Sequence, residues 1–207
     1  MKNNITDDLI LFISGIPSAG KTTISYELLK KYNLFRIVQE TDILREILRG
    51  YNEYIAKSTA LETEKIENIH PHTELLSYYQ AKEQCNIMKY SIKEIVKRQK
   101  RRQIPTIING VHIIPEILFE FINFPNIKYV TLFFDSEDDL FKHLKERDAN
   151  KYGKKCVPFL FEMNIELQKS IEDLRNKYPD IFLSINVGKH TIKETLDMIL
   201  NHIQNNN

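Results

Sequence analysis

Apolar positions recur along this chain with two different spacings, and the alternation between them predicts the fold. Continuous apolar runs at Leu9–Ile13, Pro105–Asn109 and Ile127–Phe134 do not alternate with polar residues, as strands buried on both faces do not. Shorter runs at Phe35–Val38 and Ile181–Ile185 read as further strands. Between them the spacing changes to three and four. Residues 22–32 predict a helix with Ile24, Leu28 and Leu29 inward, and Lys30 and Lys31 near its C-terminus, where the helix dipole favours cations. Thr41 is placed to cap a second helix carrying Ile43, Leu44, Ile47 and Leu48 inward, with Gly50 as its stop. Residues 51–59 (YNEYIAKST) then read as a polar, aromatic loop.

Residues 60–70 read as helical, His70-Pro71 as a break, and 73–102 as a long helix. In that helix Leu75, Leu76, Tyr79, Ile87, Met88, Ile92, Ile95 and Val96 are expected inward. Its basic end, KRQKRRQ (97–103), suits a solvated last turn, with a nucleic-acid patch as the alternative. A helix or turn at 115–122 and helices at 137–149, 159–177 and 189–202 complete the pattern. Strand and helix in alternation predict an α/β fold: a mostly parallel sheet covered by helices on both faces.

Composition narrows the class. With 207 residues, 42% hydrophobic and 28% charged, the chain is expected to form one globular domain over 1–207. A net charge of +1 gives no general case for nucleic acid. Two cysteines, Cys85 and Cys156, make a poor disulfide framework and are not spaced as metal ligands, so a reducing cytoplasmic setting is expected. Neither a signal-peptide core nor an 18-residue apolar run is present, so no membrane partner is expected.

The chemistry begins at the end of the first strand. Gly15-Ile16-Pro17-Ser18-Ala19-Gly20-Lys21-Thr22 fits GxxxxGK[ST] with a strand before and a helix after, the phosphate loop of the three-layer P-loop NTPase fold. The glycines admit unusual backbone angles, and successive amides from Gly15 to Thr23 converge on phosphate oxygens at a helix N-terminus. Lys21 is expected on the β- and γ-phosphates of ATP, and the Thr22 hydroxyl on Mg²⁺. With no DxxG after an acidic strand and no NKxD, a GTPase switch is poorly supported. Transfer to a substrate fits better, with the basic segment 148–158 (DANKYGKKCVP) as a lid that excludes water.

Asp42, at the start of the helix after the second strand, is expected to orient and deprotonate an acceptor hydroxyl or to bind Mg²⁺ through water, with helix capping as its bland role. Arg45 and Arg49 follow at helical spacing and are candidates for holding an anionic acceptor. Asn109, a substrate-side candidate, stands where such folds place a second acidic residue and can accept a hydrogen bond from a Mg²⁺-bound water; His112 follows closely, either as a further acceptor contact or as a turn residue satisfied by a backbone carbonyl. Asp135 is a weaker candidate at the next strand end. Arg147, before the lid, is the expected cation on the migrating charge, ahead of Lys151, Lys154 and Lys155.

The segments ETDILREILR (40–49) and IPTIINGVHIIPE (104–116) resemble the archaeal and bacterial 2-phosphoglycerate kinases and their P-loop kinase relatives, over roughly residues 10–150. The resemblance implies ATP-dependent transfer to a small hydroxylated acid, with Asp42, Arg45 and His112 near the acceptor. This chain departs from the family in carrying Asn109 for a Glu, Glu116 for a Gly, and FLFEMNIELQKSI (159–171) for an arginine-containing helix. The expected partners are therefore a small-molecule substrate and, as a candidate, a second copy of the chain. The alternatives carried are a nucleotide-binding regulatory protein with weak transfer activity and a kinase of a larger substrate.

Overall fold

The computed structural model describes residues 7–59, 75–148 and 154–204. Five strands form a parallel sheet in the order β2-β3-β1-β4-β5, with β1 Ile10–Gly15, β2 Ile37–Glu40, β3 Thr106–Asn109, β4 Ile127–Phe133 and β5 Phe182–Asn186. The helices are α1 Lys21–Lys31, α2 Thr41–Thr59, α3 Tyr78–Arg102, α4 Glu137–Asp148, α5 Val157–Lys177 and α6 Ile192–Gln204. The expected α/β architecture is the observed one.

The position of β1 follows from its composition. It is paired on both sides, in register Ile13↔Asn109 with β3 and Ile13↔Val130 with β4, and every one of its residues is buried. One face of the sheet carries a row of rings: Phe12 stacks on Tyr129 at 4.7 Å, and Tyr129 on Phe182 at 4.7 Å. Towards the carboxyl ends of the strands the row turns polar, where the Ser14 and Thr131 hydroxyls meet at 2.8 Å. On this side Asn164 of α5 brackets the Phe134 backbone, accepting from its N–H at 2.9 Å and donating to its carbonyl at 2.8 Å. The opposite face, with Ile13 and Asn109, is covered by α1, which packs in turn on α6.

Several expectations are corrected. β2 lies two residues later than its apolar run suggested, at an edge where no residue is fully buried. α2 does not stop at Gly50 but continues to Thr59, through the segment read as a loop. Its buried face is also rotated from the expected one, with Thr41 and Arg45 inward while Ile43 and Ile47 are exposed. The apolar pattern located the helix and half of its face: Leu44 and Leu48 pack on the core as expected, while the two fully buried positions are polar. Thr41 is the first helical residue, and its hydroxyl goes to His112.

α3 starts at Tyr78, behind a capping box in which Ser77 and Gln80 exchange hydrogen bonds at 3.3 and 2.9 Å. Leu75 and Leu76 precede the helix, and Tyr79 is exposed; Met88, Ile92 and Val96 are buried as expected. The helix expected at 60–70 and residues 149–153 of the expected lid lie outside the described residues. Lys154 and Lys155, both exposed, form a short 3-10 turn leading into α5. No described helix is long and apolar enough to cross a membrane.

Candidate functional site

The parallel sheet brings Gly15, Glu40, Asn109 and Asp135 to one edge of the molecule, because every strand ends there. Gly15 to Gly20 turn the chain from β1 into α1. Gly15 (φ +149°), Ser18 (φ +66°) and Gly20 (φ +87°) all have positive φ. A Cβ on Gly15 would lie 2.7 Å from the Leu132 carbonyl oxygen, so the close packing of the loop on β4 requires glycine there. Gly20 has open space beside it, so its requirement is conformational alone.

Lys21 opens α1, is nearly buried, and donates from Nζ to the Ile16 carbonyl at 2.8 Å, so its chain lies across the turn. Behind it, Ser25 donates to the Lys21 carbonyl at 2.7 Å and receives the Asn109 amide at 2.8 Å. Asn109, buried, thus ties β3 to the first turn of α1. Thr22 is half-buried and Thr23 exposed.

A second group of side chains stands at the ends of β2 and β3. Gly110 (φ +155°) packs so tightly on Thr41 that a Cβ there would fall 1.7 Å from its hydroxyl oxygen. This contact fixes the start of α2 against the turn carrying His112. Nδ1 of His112 lies 3.1 Å from the Thr41 hydroxyl and 3.7 Å from an Asp42 carboxylate oxygen. That same oxygen is 3.6 Å from the guanidinium of Arg45, which also contacts Glu46 at 3.1 Å.

His112 is 0% exposed and Arg45 3%, while Asp42, at 37%, faces outward from the group. Burial is the largest influence on His112 and pushes its pKa well below the usual range; Asp42 opposes the shift, and Arg45 and Lys21 add to it. The ring is therefore neutral at pH 7. Its buried Nε2 has no hydrogen-bond partner among the described residues.

The structure thus brings Asp42, Arg45 and His112 together and holds Lys21 within electrostatic reach of the imidazole. Arg49 is directed elsewhere, pairing with Glu46 at 3.0 Å. Asp135 pairs with Lys189. Arg147 falls in the last turn of α4, and its side chain lies outside the described residues, as does Lys151. Among the described residues no cluster of acidic, histidine or cysteine side chains has the makings of a self-sufficient metal site.

Sequence reasoning did not single out Glu40, Ser25 or Thr131. Glu40 ends β2 and receives the Tyr26 hydroxyl, whose pKa rises chiefly through repulsion by that carboxylate. Its place at a strand end was the available signal. Beside the loop, a cavity of about 270 Å³ lies among Gly20, Thr23, His143, Val187, His190 and Thr195. These residues come from the end of the loop, α1, α4, α6 and the turn after β5, and no local pattern announces them. A larger groove of about 470 Å³, between α5 and β5, shares no lining residue with the phosphate loop.

No family model and no characterised protein sequence matches the chain. Solved structures do. A gluconokinase from Sinorhizobium meliloti superposes with a TM-score of 0.57 at 14% identity, covering 96% of this chain and 93% of that one. An uncharacterised protein from Eubacterium ventriosum gives 0.50 at 18% identity, covering 94% and 98%. At these identities the likeness establishes a shared fold and no more.

Proposed function

We propose that this chain is an ATP- and Mg²⁺-dependent kinase that phosphorylates a hydroxyl of a small, anionic metabolite. The observation that carries this reading is the neighbourhood of two unlike groups at one edge of the sheet. One is the glycine-bounded loop under the Lys21 chain; the other is the group of buried Thr41, Arg45 and His112 with part-exposed Asp42 at the ends of the adjoining strands. A phosphate site alone suits many NTP-binding proteins. A buried arginine and a half-exposed carboxylate beside it suit an acceptor that is both acidic and hydroxylated.

The residues fit the donor. The 270 Å³ cavity adjoins Gly20 and Thr23, where a nucleobase would extend from phosphates held by the loop. Thr22 is the one loop hydroxyl assigned to Mg²⁺, in keeping with an ion held mainly by phosphates and water and with no built acidic cage among the described residues. When bound, ATP–Mg²⁺ supplies the phosphoryl group and neutralises its oxygens.

In this reading Lys21 exchanges the Ile16 carbonyl for phosphate oxygens, giving a charge-assisted contact that strengthens as charge moves to the leaving group. Asp42 orients the acceptor hydroxyl and takes its proton. Arg45 binds the acceptor's acidic group, and neutral His112 fixes Thr41 and offers Nε2 as a further polar contact. Arg49 reaches the acceptor only by leaving Glu46. Arg147 is the proposed source of transition-state charge from the lid side.

A regulatory, weakly transferring protein is the second reading. It is favoured by the uncharged Asn109, whose amide is engaged with Ser25 where an acid would meet bound metal. Titration calorimetry with ATP and Mg²⁺, followed by a phosphotransfer panel of glycerate, 2-phosphoglycerate and gluconate, separates the two. Transfer that disappears in both Lys21→Ala and Asp42→Asn, with nucleotide binding kept in Asp42→Asn, supports the kinase. Binding without turnover across the panel supports the regulator. Absence of nucleotide binding overturns both.

A further inference from the structure

α2 carries polar residues inward at Thr41 and Arg45 and a row of large apolar residues outward. Ile43 is 61% exposed, Ile47 62%, Tyr51 59% and Tyr54 65%, and the two tyrosine rings stack on each other at 6.5 Å. Four such side chains leave on the order of 500 Å² of mainly apolar surface, as much as the largest patch on a typical monomer.

The row also has an internal pattern. Residues 43, 47, 50 and 54 follow the alternating four-and-three spacing of a helix–helix seam. At its middle stands Gly50, within a 19-residue helix. It has no positive φ, and a Cβ added there would meet nothing within 4 Å, so its own fold gives no reason for glycine. A glycine inside a helix weakens that helix.

We infer that this face of α2 pairs with the same face of a second copy of the chain, antiparallel, about a two-fold axis between Leu48 and Arg49. The spacing is self-complementary about that point. Ile47 of one copy then faces Gly50 of the other, a knob against a gap, while Ile43 faces Tyr54. Each contact occurs twice, as an isologous interface requires. The absent side chain at residue 50 lets the two helices approach.

A symmetric pair covers on the order of 1,000 Å² from the four exposed side chains of each copy, about the lower limit for a specific interface, in keeping with a weak dimer. Glu46, beside the seam, is already paired with Arg45 and Arg49 of its own chain, so docking there adds no unpaired carboxylate. The inference goes beyond the kinase reading and does not depend on it. It gives α2 two occupied faces, one at the candidate acceptor site and one on the partner.

Light scattering on the full chain across a micromolar concentration series tests the pairing. The expected result is a species of about twice the 24.5 kDa chain mass. Ile47→Glu should weaken association on the order of 100-fold or more, by placing desolvated like charges near the axis. Tyr90→Glu, on exposed α3 surface, should leave the mass unchanged. Circular dichroism of each variant checks that it is folded.

Mixing an Ile47→Cys chain with a Gly50→Cys chain under mild oxidation should give the mixed disulfide in preference to either symmetric one. A monomer throughout, or a dimer that survives Ile47→Glu, overturns the proposal. Symmetric disulfides alone overturn the antiparallel register. A monomer in which a cysteine at 47 resists alkylation assigns the stripe to another part of the same chain and also overturns it.

Discussion

The phosphate loop and the start of α2 lie at the same edge of the sheet but are built on opposite plans. The loop is contiguous, from Gly15 to Thr23, and works through backbone geometry; its only charged side chain, Lys21, lies back on the Ile16 carbonyl. The α2 group is discontinuous. It joins residues 41, 42 and 45 to residues 110 and 112 through side-chain contacts, and it buries charge. Backbone sites tolerate change in side chains that avoid the ligand and fail when a dihedral is lost. Side-chain sites fail when a partner is removed.

The largest contrast is expected from Lys21→Ala. Turnover should fall on the order of 10²–10³-fold, as when a preorganised donor to a developing charge is removed. Steady-state kinetics with ATP in excess reads this. Stability should change less than activity, since a hydrogen bond to a neutral carbonyl such as that of Ile16 contributes little to the fold.

Gly110→Ala should do the reverse. Its Cβ would overlap the Thr41 hydroxyl oxygen, at 1.7 Å, in a backbone conformation that disfavours side chains. We expect a loss on the order of 3 kcal/mol in urea unfolding, combining overpacking with backbone strain. If Gly110→Ala proves as stable as the parent chain, the tight seating of α2 described above is wrong.

Acidification should expose the α2 group and leave the loop indifferent. His112 binds its proton less readily in the folded chain than in the unfolded one. Below the ordinary histidine pKa of about 6.5 the unfolded chain therefore holds more protons, and stability falls as pH falls. The slope reaches at most about 1.4 kcal/mol per pH unit for one such group. His202 is shifted in the same direction, mainly by burial, so His112→Gln should reduce the acid sensitivity without abolishing it. Urea midpoints at a series of pH values decide.

The smallest expected effect is Asn109→Ala, about 1 kcal/mol for the hydrogen bond to Ser25 that seats α1. A much larger loss of turnover than of stability in that variant would give Asn109 a direct part in the reaction.

These two plans also explain what was legible in the sequence. The phosphate loop and the buried strands β1, β3 and β4 could be read because their signals are local: two glycines at fixed spacing and unbroken apolar runs. α2 could be located from its spacing but only half oriented: Leu44 and Leu48 pack on the core as expected. Hydrophobicity placed Ile43 and Ile47 inside, whereas the sheet edge receives Thr41 and Arg45, held by a histidine about seventy positions later. Only Gly110, a glycine whose neighbour is remote in sequence, makes that contact sterically possible. Asp42, Arg45 and His112 were picked out by type and position; the separate engagement of Arg49 with Glu46 was not visible without geometry. The lining of the 270 Å³ cavity is scattered from Gly20 to Thr195 and carries no local signature.

The central place of β1 has a consequence for synthesis on the ribosome. Its apolar residues emerge early, yet the strands that flank it begin at Thr106 and Ile127. At the ordinary pace of translation, about 5–20 residues per second, ILFISG waits several seconds or more without its sheet neighbours. During that interval the segment that will lead into the glycine-bounded loop is an unpaired apolar strand, the kind of surface that sticks to other chains.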